Sequence, residues 1–267
     1  MRILVATLAL SACTAPDPEV TLPGVAATQA PEPLEACTDS AECLFEGRNA
    51  FAADGAEASV LVSLPAEPRG APVVFVWHYL GGSAAEIVEW MGTDALVDAG
   101  YVVIAPDSRG LAFTEWQVDG DPEENPDVAL FDALAAQISA QYGTDDARVY
   151  ATGFSAGGLF TSYLTMFRAD ALASTAPFSG GVPSYMYASP ASKLPVMLTS
   201  GGSGDSYGGF DFSAASADFA AALVADGHEV VDCQHADGHW LPDDAAENVL
   251  GFFGDRAVPA SCTLLSR

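Results

Sequence analysis

The chain has 267 residues, half of them hydrophobic and 17% charged, which is enough apolar material for a sizeable core, in one α/β domain or two smaller ones, and too much for a disordered chain. Its 9 Lys+Arg stand against 36 Asp+Glu for a formal net charge of −27. A surface this acidic repels phosphate backbones and anionic headgroups, which excludes nucleic acid as a partner and leaves any membrane association to another cause.

The N-terminus supplies such a cause. Arg2 is followed by the apolar run from Ile3 to Leu10 and by Ser11-Ala12-Cys13. The run is too short to span a bilayer and reads as a signal peptide over residues 1–12. Leu10-Ser11-Ala12-Cys13 resembles a bacterial lipobox, in which Cys13 is lipidated and becomes the first mature residue. Residues 14–36, rich in Pro, Ala, Thr and Glu without apolar periodicity, read as a flexible tether. The expectation is an exported chain, secreted or held at the cell envelope by a lipid, with the catalytic domain over 37–267.

Four further cysteines, Cys37, Cys43, Cys233 and Cys262, favour two disulfides in an exported chain, and sequence alone allows three pairings. Cys37–Cys43 is local, and Cys233–Cys262 would pin the C-terminal tail beside a strand, so these are the expected pairs. No CxxC spacing points to a metal, and none is expected.

From there, short β-rich runs alternate with helix-like stretches. Strands are predicted over residues 58–64, 73–78, 101–106, 148–152, 174–178, 195–199 and 229–233, and helices over 84–99, 128–142, 157–168, 213–226 and 244–253. The repeated β-then-α order predicts an α/β fold with a mostly parallel central sheet and helices on both faces. About 16 residues separate the strand ending at Phe178 from the one starting at Pro195, too few for a large lid. In such a sheet, chemistry gathers where strands end and helices begin.

One of those points carries Gly153-Phe-Ser155-Ala-Gly157. Glycines on either side let Ser155 stand on a tight turn at a helix N-terminus, although GxSxG alone is a weak signal in a chain rich in small residues. A serine nucleophile needs a base and the base needs an orienting acid. Among four histidines, His239 lies in the loop HADGHWLP after the strand ending at Cys233 and is the expected base; His235, in the same loop, is its rival, and His228 reads as structural. Asp205, in the loop SGGSGDSYGG beyond the strand ending at Thr199, is the expected acid. The oxyanion donors would be backbone N–H groups of Leu80, in His78-Tyr-Leu-Gly-Gly-Ser83, and of Ala156. Tyr79, Trp116, Tyr207 and Trp240 are the candidate substrate-contacting aromatics, with Phe113, Tyr185 and Tyr187 in neighbouring loops.

RVYATGFSAGG at 148–158, DVALFDAL at 127–134, WHYLGGSA from Trp77 and GHWLP at 238–242 together resemble the polyhydroxybutyrate depolymerase and feruloyl or acetylxylan esterase group of α/β-hydrolases, over residues 58–254. The resemblance implies a single-domain serine esterase, without cofactor, acting on small-molecule or polymer esters, with Ser155, Asp205 and His239 as triad and Leu80 with Ala156 as oxyanion donors. Two features depart from that group: Tyr79 stands where a glycine is usual, and the acid segment is unusually glycine-rich. A serine peptidase on the same fold, told apart by anilide over ester turnover, and a non-catalytic surface-binding lipoprotein, told apart by failure to label with a fluorophosphonate, are the competing readings.

Overall fold

The computed structural model describes residues 41–53, 56–110 and 115–266. The expected signal peptide, the Cys13 lipidation site, the tether, Cys37 and Phe113 lie outside these residues.

Strands β1 (Gly47–Ala53) and β2 (Ala56–Ser63) form an antiparallel pair. β3 (Val73–Trp77), buried along its whole length, leads to helix α1 (Ala84–Met91). Ser83 caps α1: its hydroxyl oxygen accepts from the Glu86 N–H, and its hydroxyl proton is donated to the Glu86 carboxylate, the S-x-x-E pattern of a helix start. The single helix predicted over 84–99 is in fact two. Gly92, at φ 68°, closes α1 in the left-handed conformation, and α2 (Asp94–Asp98) restarts after it.

β4 (Val102–Pro106) is followed by α3 (Pro126–Tyr142), which starts on an Asn125 cap and ends at Gly143. β5 (Val149–Phe154) runs into α4 (Ala156–Phe167), then β6 (Ser174–Phe178) and β7 (Val196–Ser200). A two-stranded hairpin, β8 (Ser206–Tyr207) and β9 (Phe210–Asp211), turns through Gly208 and Gly209, both at positive φ. α5 (Phe212–Ala225), β10 (Val230–Gln234), α6 (Ala245–Asp255) and β11 (Cys262–Ser266) complete the described chain.

The main sheet has the order β1-β2-β4-β3-β5-β6-β7-β10-β11. Its middle, from β4 to β10, is parallel, and β1, β2 and β11 add antiparallel edges. α3, α4 and α5 cover one face through residues such as Phe131, Phe160 and Phe219; α1, α2 and α6 cover the other through Ile87, Leu96 and Phe252. This is the mostly parallel α/β sheet that the alternation predicts, in the α/β-hydrolase architecture that the resemblance implies. Cys233 and Cys262 are bonded across β10 and β11, as expected, and Cys43 is disulfide-bonded.

Candidate active site

The C-terminal ends of β3, β5, β6, β7 and β10 open onto one rim, where the loops bearing Leu80, Ser155, Ser179, Asp205 and His239 meet. Ser155 is the junction between β5 and α4. Its backbone is held at φ 56° and ψ −115°, a conformation that costs a non-glycine residue about 1–3 kcal/mol and persists only where neighbours impose it. They do so by close backbone approach: a Cβ on Gly157 would overlap the Trp77 carbonyl, and one on Gly153 would lie 2.7 Å from that same oxygen. The Ser155 N–H donates to the Phe178 carbonyl at 3.0 Å, tying the turn to β6.

Three side chains form a relay. Ser155 Oγ lies 2.8 Å from His239 Nε2, and His239 Nδ1 lies 2.7 Å from Asp205 Oδ1. Because a carboxylate only accepts, the Nδ1 proton is donated to Asp205, which leaves Nε2 free to accept from the serine hydroxyl. Asp205 is buried, and its second oxygen accepts from Ser179 Oγ at 2.9 Å and the Gly201 N–H at 2.8 Å. The carboxylate is therefore bonded at both oxygens and aims one of them at the imidazole.

His235, the rival base, lies outside the relay, its Nδ1 3.3 Å from Asp237. His228 is fully buried with Nδ1 against the Leu194 backbone, and burial holds it below its usual range. Asp232, on β10 beside Gln234, also stands outside the relay.

The loop after β3 is tied down by buried groups. His78 Nε2 accepts from the Ser108 N–H at 2.9 Å, so its proton sits on Nδ1, which donates to the Tyr79 carbonyl at 2.8 Å. Burial pushes this imidazole below its usual range, against the pull of that carbonyl and of Asp107, Glu115 and Glu86; the neutral ring is the form that the two bonds require. Glu115 accepts from the Gly81 N–H at 3.2 Å and from the Ser108 hydroxyl. The Gly82 N–H closes a turn onto the Tyr79 carbonyl, and the positive φ, 75°, falls on Gly81. Tyr79 thus stands where glycine is usual without occupying the left-handed region, and the loop keeps Leu80 on the rim beside Ser155. Ala156 opens α4, where an N–H has no intrahelical acceptor.

A family model described as "Dienelactone hydrolase family" matches residues 59–222, more than half of the chain and everything from β2 into α5. The chain belongs to the dienelactone hydrolase family. Among curated relatives of this family member, "Putative esterase NocK" of Nocardia uniformis subsp. tsuyamanensis is 31% identical over 182 residues, 63% of this chain and 51% of its own length. Feruloyl esterase C of Emericella nidulans is 28% identical over 124 residues, 44% of this chain and 43% of its own. The chain therefore spans about half the length, or less, of the curated relatives it matches. Solved structures agree on the fold: native pOPH superposes with TM-score 0.66 at 22% identity over 82% of this chain and 94% of that one. The acetyl xylan esterase from Aspergillus awamori gives 0.61 at 14% identity over 74% and 94%.

In this family member two clefts meet at Ser155. The first, about 200 Å³, is walled by Tyr79, Leu80, Trp90, Phe154, Tyr207, His239 and Trp240. The second, about 330 Å³ and mostly apolar, runs along Val118, Ala156, Leu159, Met186, Phe210 and Phe212. A larger cavity, about 730 Å³, lies behind the histidine loop against Cys233, His235 and Asn248 and touches none of the three relay residues.

Tyr79, Tyr207 and Trp240 thus stand at the rim, but Trp116 does not. Its ring is fully buried, edge-on to Trp77 at 5.0 Å, and its Nε1 donates to the His78 carbonyl at 2.8 Å. It supports the loop from beneath and cannot reach a substrate. Tyr187 is likewise removed, its hydroxyl donating to Asp226 beyond α5, at the opposite end of the sheet. Ser179, Trp90 and Glu115 are site residues that the sequence reading lacked. Ser179 had a signal in Phe178-Ser-Gly-Gly181, a strand end followed by glycines, and it adopts φ 43° to reach Asp205.

Proposed function

We propose that this protein is an exported serine esterase that cleaves carboxylic esters through an acyl-enzyme on Ser155. The observation that carries this reading is the unbroken relay from Ser155 Oγ through His239 to a buried, doubly supported Asp205. His239 takes the serine proton as Oγ attacks the ester carbonyl, and Asp205 stabilises the imidazolium that forms. The N–H groups of Leu80 and Ala156 receive the developing oxyanion. His239 then protonates the leaving alcohol, and a water that it activates releases the acid. The mechanism needs a neutral imidazole, so turnover falls on acidification.

The esterase names carried by the curated relatives support the same reaction class. The Cys233–Cys262 disulfide supports an oxidising compartment, and we place the protein at the cell envelope through a lipid on Cys13 or in the medium. Feruloyl, acetyl and polyhydroxyalkanoate esters are the substrate classes to try first.

The test is hydrolysis of p-nitrophenyl butyrate by wild type and by Ser155→Ala, His239→Ala and His235→Ala. Loss of turnover in the first two, with His235→Ala active, is the expected result. Activity surviving Ser155→Ala removes the proposal.

A further inference from the structure

The two clefts at Ser155 differ in a way that bears on which half of an ester each receives, an inference that rests on the esterase reading above. One is a track of rings. Tyr79 stacks on Trp90 with centroids 4.8 Å apart and 14° between planes, and Trp90 meets Trp240 at 5.0 Å. Trp90 and Trp240 are 42% and 53% exposed. Large rings are ordinarily buried, and two adjoining exposed indoles beside a reactive serine form an apolar surface with no partner inside the fold. The other cleft is apolar, with Val118, Leu159 and Met186 facing the Phe210 and Phe212 rings, and its one ionisable side chain is the Tyr207 phenol, which both clefts share.

His239 decides the orientation. In acyl transfer the imidazole that removes the serine proton returns it to the leaving oxygen, so the alcohol half of the ester must lie on the His239 side and the acyl chain must point away. His239 lines the aromatic cleft. His239 is no part of the lining of the apolar cleft, whose Phe212 ring packs against the imidazole at 4.3 Å. Ala156, whose N–H faces the oxyanion in this mechanism, borders the apolar cleft.

We propose that the clefts divide the ester: the Val118, Leu159, Met186 and Phe212 cleft holds an apolar acyl chain longer than acetyl, and the Tyr79, Trp90 and Trp240 track holds an uncharged flat ring on the alcohol. The ring is uncharged because no cationic side chain lines the track, which excludes a carboxylated or phosphorylated ring in a chain of net charge −27. An aryl ring and the C–H face of a pyranose offer the same flat apolar surface, and the substrates below separate them.

The experiment compares kcat/KM of the full chain for ethyl butyrate, phenethyl butyrate and the butyrate of the primary hydroxyl of methyl glucoside, whose leaving groups are all alkoxides. Trp240→Ala is expected to lower the ring-to-ethyl ratio about tenfold, chiefly through KM, and Trp240→Phe to restore most of it. A loss confined to the phenethyl ester identifies an aryl alcohol, and one confined to the glucoside ester a sugar. Met186→Trp, or Met186→Phe where the larger ring prevents folding, is expected to lower the hexanoate-to-butyrate ratio on p-nitrophenyl esters about tenfold, the worth of two buried methylenes, and to leave the ring-to-ethyl ratio in place. The crossed pattern, with Trp240 governing chain length and Met186 governing ring preference, overturns the division, as does indifference of both ratios, while the esterase reading stands. Absence of turnover of every ester by wild type removes both.

Discussion

Ser155 and His239 are held 2.8 Å apart by two regions that differ in what surrounds them. The serine turn sits in the middle of the sheet, where consecutive residues of one short segment are fixed by backbone pressing on backbone, with Gly157 against Trp77 and Gly158 against Phe178. The histidine loop leaves β10 near the sheet edge and is held by parts far away in sequence. Gly238 meets Gly201, Phe212 and Tyr207 lie against the imidazole, and the Cys233–Cys262 disulfide anchors the strand from which the loop departs. The first region is enclosed by central strands that cannot yield, so it should fail by unfolding. The second should fail by misplacing a side chain in a protein that remains folded.

The largest effect expected is chemical. Ser155→Ala should lower kcat for ester hydrolysis about 10⁴- to 10⁶-fold, and Asp205→Asn about 10⁴-fold by presenting the wrong partner to Nδ1, both with unchanged far-ultraviolet circular dichroism. The next pair separates the two regions. A methyl group at Gly157 collides with the central β3 carbonyl, so Gly157→Ala should cost about 4 kcal/mol or more in urea denaturation. Gly201→Ala collides with the Gly238 carbonyl at the edge; it should cost less stability yet reduce turnover about 10²-fold, the penalty of a shift of about 1 Å in a catalytic group. Equal stability losses in the two variants would erase the distinction.

Smaller again is the disulfide. Cys233 and Cys262 are 29 residues apart, and the paired Ser variant should lose about 3 kcal/mol, seen as a lower urea midpoint. The smallest effect concerns pH. Burial holds His78 and His228 below the ordinary value of 6.5 in the folded chain, so on acidification the unfolded chain takes up protons first. Their contribution to stability is complete above about pH 6.5 and is lost as the pH falls toward the folded values. Asp127 and Asp132, raised by burial, act with the opposite sign over the carboxylate range. His78→Gln should therefore flatten the wild-type loss of stability between about pH 7 and 5, measured as the urea midpoint at each pH.

The same contrast explains what was legible in the sequence. Ser155 and its glycines are contiguous, and the periodicity of β3, β5, β6 and β7 is nearly unbroken, so the sheet centre could be read directly. The edges were harder. β1 has the sequence GRNAFAA, with little β-forming character, and the signal for its pairing was the Asp54-Gly55 dipeptide between two extended runs. β11, CTLLS, is short, and only the expected Cys233–Cys262 bridge pointed to its place beside β10. Trp116 looked like a loop aromatic because its burial depends on Trp77, Phe160 and the His78 carbonyl, none of them near it in sequence. The Tyr79–Trp90–Trp240 track was hidden for the same reason, since its three rings come from three different segments.

The most direct test of the central claim is to trap the acyl-enzyme. Wild-type protein is mixed with p-nitrophenyl butyrate, quenched in acid within the first turnover, digested and analysed by mass spectrometry. A butyryl group on the peptide carrying Ser155, absent after His239→Ala, is the result this account predicts. An adduct on another residue, or steady turnover by Ser155→Ala, would contradict it.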